Sequence, residues 1–189
     1  MPKSDLRQFN YSKVAKLDTD MWRSYYNHQF LKMFFQLLRL MRTQLHMNWL
    51  IIFQLAYHAG VAATQYRLKR GNEDYNKALK HLTKFYELIS KNCIEPFDYK
   101  KAGELELEWW DIHRYPKKYK KSLEQSLAEA LAVVYSVDPK SLKDYAHYRK
   151  AAMLLPNHQG DSQLNPPSWQ KIEDLLIKSW CSAHKVVQK

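Results

Sequence analysis

Apolar residues recur along this chain with the spacing of α-helices, and no stretch of strand length alternates cleanly between apolar and polar positions. Capping residues and prolines divide this pattern into about seven predicted helices. We therefore predict an all-α fold: a single-domain helical bundle in residues 20–189, preceded by an N-terminal arm in residues 1–19. The predicted helices run from Asp18–Asp20 to about Leu45, from about Asn48 to Arg70, from about Glu73 to Ser90, from about Asp98 to Arg114, from about Ser122 to Ser136, from Asp138 to just before Pro156, and from Ser168 to about Val187.

The first two predicted helices differ in how their apolar residues are distributed. On a helical wheel the first helix is amphipathic, whereas the second is apolar nearly all round, with a thin polar stripe at Gln54, His58 and Gln65. A helix that is apolar all round is usually buried, so we expect the second helix to be central in the bundle. The apolar face of the first helix comprises Trp22, Tyr26, Phe30, Met33, Phe34, Leu37, Leu38, Met41 and Leu45.

Composition excludes several classes of function. The 189 residues include only four glycines, which argues against glycine-rich phosphate loops and dinucleotide-binding motifs. Two cysteines form neither a disulfide framework nor a zinc set. The N-terminus lacks the apolar segment of a signal peptide, so we expect a cytoplasmic protein without a membrane span.

The net charge of +11 is unevenly distributed. Residues 21–70 contain seven Lys or Arg and no Asp or Glu, whereas residues 71–115 are slightly acidic. A basic chain suggests a nucleic-acid partner, and the lysine-rich segment 117–121 could contact phosphate. The charge does not form one block, however, and part of it could pair internally, so a specific nucleic-acid partner is not favoured.

Three carboxylates share one face of the fourth predicted helix, because Glu104, Glu108 and Asp111 are spaced i, i+4 and i+7. Like charges at this spacing repel, so the pattern needs an explanation. The face could be solvated, could pair with arginines of the first two helices, or could form a functional carboxylate site. The spacing lacks the Glu-x-x-His motif of di-iron bundles, and neither a metal nor a cofactor is predicted.

His58 and a group of aromatic residues are the other candidates for a site. His58 lies on the polar stripe of the second predicted helix, where it would line a pocket or face solvent. Aromatic residues near the first and fourth predicted helices could form a ligand cage, although core packing is the favoured explanation. These aromatic residues are Trp22, Tyr25, Tyr26, Trp109 and Trp110.

Three short motifs carry a resemblance to a family of small all-helical bacterial proteins that have not been characterised. They are Trp22-Arg23-Ser-Tyr25-Tyr26, Glu106-x-Glu108-Trp109-Trp110-x-x-x-Arg114, and Leu131-x-x-x-Tyr135-x-Val137-x-Pro139. The resemblance covers about residues 20–185 and implies no particular activity. It singles out Trp22, Arg23, Tyr26, Glu108, Trp109, Trp110 and Arg114, and suggests a pairing of Glu108 with Arg23.

These observations favour a noncatalytic helical protein that binds a protein partner or a small apolar or anionic ligand. That hypothesis is compatible with a homodimer through the first or last helix. One alternative is an enzyme or a metal-dependent site that uses the carboxylates of the fourth helix, which would require a pocket. The other is a nonspecific nucleic-acid-associated basic protein, which would require the Arg and Lys residues on one surface.

Overall fold

The computed structural model describes residues 3–67, 71, 73–155 and 166–189. This part of the chain forms an all-α bundle of eight helices, without a strand beyond one isolated bridge, and confirms the predicted fold class. The helices are α1 (Tyr11–Tyr26), α2 (Phe30–Leu45), α3 (Trp49–Arg67), α4 (Tyr75–Asn92), α5 (Tyr99–Arg114), α6 (Leu123–Tyr135), α7 (Lys143–Leu154) and α8 (Pro166–Val187). Short 3₁₀ turns at Pro116–Lys118 and Pro139–Leu142 precede α6 and α7.

The single helix predicted from Asp18–Asp20 to Leu45 is wrong, because two helices occupy this stretch. α1 begins earlier, at Tyr11, where the Asn10 side chain accepts a hydrogen bond from the Lys13 amide at 2.9 Å. The chain then breaks at residues 27–29, where His28 adopts a left-handed conformation with φ of 56°. Asp18 is therefore buried inside α1 rather than capping a helix.

The residues expected to form a separate N-terminal arm are instead part of the core. Leu6 and Phe9 are buried, as are Val14 and Ala15 on α1. Arg7 also fastens this segment to the far end of the chain, because its Nη1 donates to the Val187 carbonyl at 2.9 Å.

Most of the other predicted helix starts are confirmed by their capping hydrogen bonds. The side chains of Asp98, Ser122 and Asp138 each accept from a backbone amide two or three residues further on. The last helix is an exception, because α8 starts at Pro166 and so contains Ser168. The predicted end of the second helix at residues 68–70 and most of the loop at 156–167 lie outside the described residues.

Successive helices pack against one another, and α1 also packs against α8, which closes the bundle. α3 packs closely against α4 and more lightly against α2, and it is therefore peripheral rather than central. α3 is rich in apolar residues, as the sequence indicates, but one side of the helix faces solvent. No helix in the described ranges is both long and apolar enough to cross a membrane.

α5 lies unusually close to α4, and Gly103 makes this approach feasible. A Cβ atom at Gly103 would come within 3.1 Å of the Thr83 amide nitrogen and 3.2 Å of its Cα. This close packing places the C-terminal end of α5 beside the start of α4 and the end of α3, where the polar residues described next meet.

Candidate functional site

The three α5 carboxylates that share one helix face, Glu104, Glu108 and Asp111, do not form one site. Glu104 is exposed and lies 3.7 Å from the Lys101 ammonium group. Glu108 is half-buried and forms an ion pair at 2.7 Å with Lys121, which lies beyond the helix. Asp111 is buried and has different partners altogether, so the shared helical face does not produce a shared environment.

Asp111 is the centre of a polar cluster at the end of α5. Its carboxylate accepts hydrogen bonds from the Tyr75 hydroxyl at 2.6 Å, from the Tyr66 hydroxyl at 3.3 Å and from the Tyr119 hydroxyl. The Lys118 ammonium group is the fourth donor, at 3.0 Å. Burial raises the pKa of Asp111, but the hydrogen bonds from Tyr119, Tyr75 and Lys118 outweigh it and hold the pKa below its usual range.

Arg114 ties the end of α5 to two neighbouring helices. Its Nη1 donates to the Tyr66 carbonyl at 2.6 Å, and the same atom lies 3.4 Å from the Glu73 carboxylate. The Tyr115 hydroxyl donates to the same carboxylate. Because Tyr66 is on α3 and Glu73 precedes α4, these contacts fix the relative position of three helices.

The segment that follows α5 supplies the positive charge that the α5 carboxylates need. Lys118 contacts Asp111, while Lys121 contacts both Glu108 and Glu129. In the described ranges no arginine of the first two predicted helices forms an ion pair with these carboxylates, so the ion-pair seam, one of the three alternatives, is not observed. Lys118 and Lys121 thus both form ion pairs within the protein.

The predicted pairing of Glu108 with Arg23 is wrong as well. Among the described residues, Arg23 forms its ion pair with Asp20, at 3.9 Å and one turn away on α1. The Arg23 guanidinium instead lies 5.4 Å from the ring centroid of Trp169 on α8. Arg23 thus helps to pack α1 against α8.

The candidate aromatic residues are dispersed rather than arranged as a cage. Trp110 packs near Tyr66, and its indole nitrogen donates to Glu106 at 3.0 Å. Trp109 and Trp22 pack on the main core, and the guanidinium of Arg149 covers Trp22. Tyr26 is exposed beside Tyr25 at the end of α1.

His58 on α3 faces His81 on α4, with their Nδ1 atoms 3.0 Å apart. One imidazole must donate and the other accept, so this contact requires at least one neutral ring. Burial lowers the pKa of His58, and the charges of His81 and Lys84 lower it further. In the described ranges no three His, Cys, Asp or Glu side chains are grouped as metal ligands would be.

We expect this histidine pair to make the protein less stable in mild acid. Because the folded-state pKa of His58 is depressed, the unfolded chain takes up more protons, and the free energy of unfolding should fall as the pH drops from about 7.5 to about 5.5. Urea denaturation at both values checks this. The His58→Gln, His81→Gln double variant should lose less stability than the wild type over the same range. An equal loss in the two proteins would contradict the prediction. His113, whose pKa is lowered by burial, acts in the same direction and remains in both proteins.

Two stripes of exposed apolar side chains run along α2 and α3. The most exposed are Leu31 at 74% and Leu50 at 71%, well above what a core-facing position shows. The guanidinium of Arg67 at the end of α3 lies 4.8 Å from the ring centroid of Tyr25 at the end of α1 and 5.8 Å from that of Phe30 at the start of α2. Because the end of α3 meets the start of α2, these two helices run antiparallel. We call these residues the α2–α3 stripes: Phe30, Leu31 and Phe35 on α2, and Trp49, Leu50, Phe53 and Tyr57 on α3.

The charges beside the α2–α3 stripes are positive and have no acidic partners. Lys32 and Arg39 line a shallow, open depression of about 410 Å³ together with Leu31 and Phe35. Within the described part of the chain, no carboxylate lies within ion-pair distance of Lys32, Arg39, Arg42 or Arg67. The charge of these four residues is therefore not neutralised by an ion pair in the described ranges.

Comparisons with known protein families, with curated proteins and with solved structures found no match. The α2–α3 stripes stand out as the candidate functional site by their exposure and by the charge beside them.

Proposed function

We propose that this protein is a noncatalytic binding protein and that its partner docks on the α2–α3 stripes. The observation that carries this proposal is the concentration of exposed large apolar side chains on two adjacent helices. Seven of the ten large apolar residues that are exposed in the described part of the chain lie on α2 and α3. Exposed large apolar side chains that are concentrated in one part of a protein often mark a binding surface.

The state of the carboxylates supports the noncatalytic part of the proposal. A general acid or base needs a lone pair or a proton that is free to reach substrate. Asp111 instead accepts four hydrogen bonds, and Glu108 is engaged by Lys121. These groups serve the packing of α5 against its neighbours.

Retention on a phenyl-substituted chromatography resin tests whether the stripes are available in the folded protein. The Leu31→Ser, Leu50→Ser double variant should elute clearly earlier than the wild type, because it replaces the two most exposed leucines with a polar side chain. Circular dichroism and thermal unfolding should show an unchanged fold, since neither residue is in the core.

Ile94→Ser is the matched control for this measurement. Ile94 is an exposed apolar residue, at 57%, but it follows α4 and lies outside the stripes. It should elute close to the wild type. Co-elution of the double variant with the wild type would mean that the stripes are covered in solution, and the proposed function would then be wrong.

A further inference from the structure

We propose that the α2–α3 stripes dock on an anionic lipid surface, with their apolar side chains among the acyl chains and the neighbouring basic side chains on the headgroups. This inference rests on the proposed function, because it names the partner of the same surface. On this proposal the protein lies on the surface of the membrane.

The residue types in the stripes are those that suit the boundary between water and lipid. Trp49 and Tyr57 carry amphipathic rings, which are enriched at the level of the headgroups. Leu31, Leu50 and Phe53 are purely apolar and project far enough to leave water. A peripheral helix that binds lipid combines these two kinds of side chain on one exposed side.

The charges favour an anionic surface. Residues 21–70 include seven basic residues and no acidic residue. Lys32 and Arg39 lie directly beside Leu31 and Phe35, so insertion of the apolar side chains would bring the cations to the headgroups. Each basic side chain near an anionic membrane strengthens binding by about fivefold.

A second copy of this chain fits the surface less well. Docking two copies through α2 and α3 would bring the unpaired positive charges of both copies together, and neither copy has a carboxylate in this region to offset them. A helical peptide ligand would favour an enclosed groove for its anchor side chains, whereas the depression beside Leu31 is shallow and open.

Vesicle flotation with the full-length protein tests the inference. The two probes are vesicles of phosphatidylcholine alone and vesicles of phosphatidylcholine and phosphatidylserine in equal parts. The wild type should float with the anionic vesicles at low salt and much less with the neutral ones, and added salt should weaken the binding. The Leu31→Ser, Leu50→Ser variant should bind the anionic vesicles at least about tenfold more weakly.

A pair of charge variants tests whether the basic residues act locally. Lys32→Gln, Arg39→Gln should weaken binding by about tenfold or more. Lys117→Gln, Lys120→Gln removes the same total charge from the exposed segment after α5, and it should have a much smaller effect. Equal losses in the two charge variants would overturn the inference, because binding would then follow net charge rather than this surface.

Three further results would overturn the lipid inference. The first is no binding of the wild type to anionic vesicles at low salt. The second is binding to duplex DNA as tight as to the vesicles and unaffected by Leu31→Ser, Leu50→Ser, which would indicate a general polyanion surface. The third is a dimer that forms without lipid and is lost in this same variant, which would make the occupant a second copy.

The phenyl-resin measurement separates failure of this inference from failure of the proposed function. The wild type could be retained on the resin more strongly than Leu31→Ser, Leu50→Ser and still not bind anionic vesicles. That result would support the proposed binding surface and show that the lipid assignment is wrong. If retention does not differ between the two proteins, the proposed function itself is wrong.

Discussion

Arg149→Met is expected to lower the free energy of unfolding by about 3–5 kcal/mol, because it leaves a buried carboxylate without its counterion. Asp18 on α1 is 2% exposed, and its Oδ2 accepts from Arg149 on α7 at 2.8 Å. The indole nitrogen of Trp180 on α8 is the other donor, at 3.1 Å. Burial lowers the pKa of Arg149, but the Asp18 carboxylate more than offsets this and holds the pKa above its usual range. Urea denaturation at neutral pH measures the change.

Two control variants make this prediction specific. Lys91→Met breaks an exposed ion pair with Glu87, and it should lower the free energy of unfolding far less than Arg149→Met does, because solvent screens the exposed pair. The Asp18→Leu, Arg149→Met double variant removes both charges and should recover much of the stability lost in Arg149→Met. A cost for Arg149→Met no larger than that for Lys91→Met would contradict the prediction.

The buried ion pair also explains which part of the fold the sequence could not reveal. Asp18, Thr19 and Asp20 form a good local capping pattern, so the pattern predicted a helix start there. The actual role of Asp18 depends on Arg149, which is 131 residues away, and Thr19 donates to the Ala15 carbonyl inside α1. Local helical signals elsewhere, such as those at Asp98 and Ser122, depend only on neighbouring residues, and those predictions are confirmed.

The candidate site shows the same limit. The sequence indicated that residues 48–70 form an apolar helix and that residues 21–70 lack acidic residues, and both observations now contribute to the proposed surface. Burial was the wrong conclusion for Trp49, Phe53 and Tyr57, because composition alone does not distinguish a central helix from a peripheral one whose apolar side faces solvent. The neighbours of α3 decide this, and they follow from the packing of the whole chain.

The partners of the α5 carboxylates could not be predicted from helical spacing either. Helical spacing correctly placed Glu104, Glu108 and Asp111 on one face, but the fold turns the chain back after Arg114, so that Lys118, Tyr119 and Lys121 reach two of them. The sequence alone suggests that the lysine-rich segment 117–121 could contact phosphate. Its pairing depends on the 3₁₀ turn that begins at Pro116.

Asp111→Ala is expected to lower the free energy of unfolding by about 2–4 kcal/mol at neutral pH. The substitution removes the acceptor of three tyrosine hydroxyls, and a hydrogen bond to a charged group contributes about 1.5–3 kcal/mol. The Tyr75 and Tyr119 hydroxyls are only partly buried and can bond to water instead, so the expected loss is smaller than the sum of three such bonds. Lys118 is largely exposed and can turn to water, so its loss should contribute less. Urea denaturation of the variant and the wild type measures the difference.

The pH dependence of this stability difference tests whether Asp111 acts as a charged hydrogen-bond acceptor or only by packing. Because the folded-state pKa of Asp111 is lowered, its contribution is fully present above the unfolded-state pKa of about 4 and is lost as the pH falls through the folded-state value. The gap between wild type and Asp111→Ala should therefore narrow in acid. Glu104→Ala is the matched control on the same helix face, and it should change stability by no more than about 0.5 kcal/mol because Glu104 is exposed and loosely paired. If Glu104→Ala and Asp111→Ala were equally destabilising, the cost would come from the helix face as a whole and not from the tyrosine cluster around Asp111.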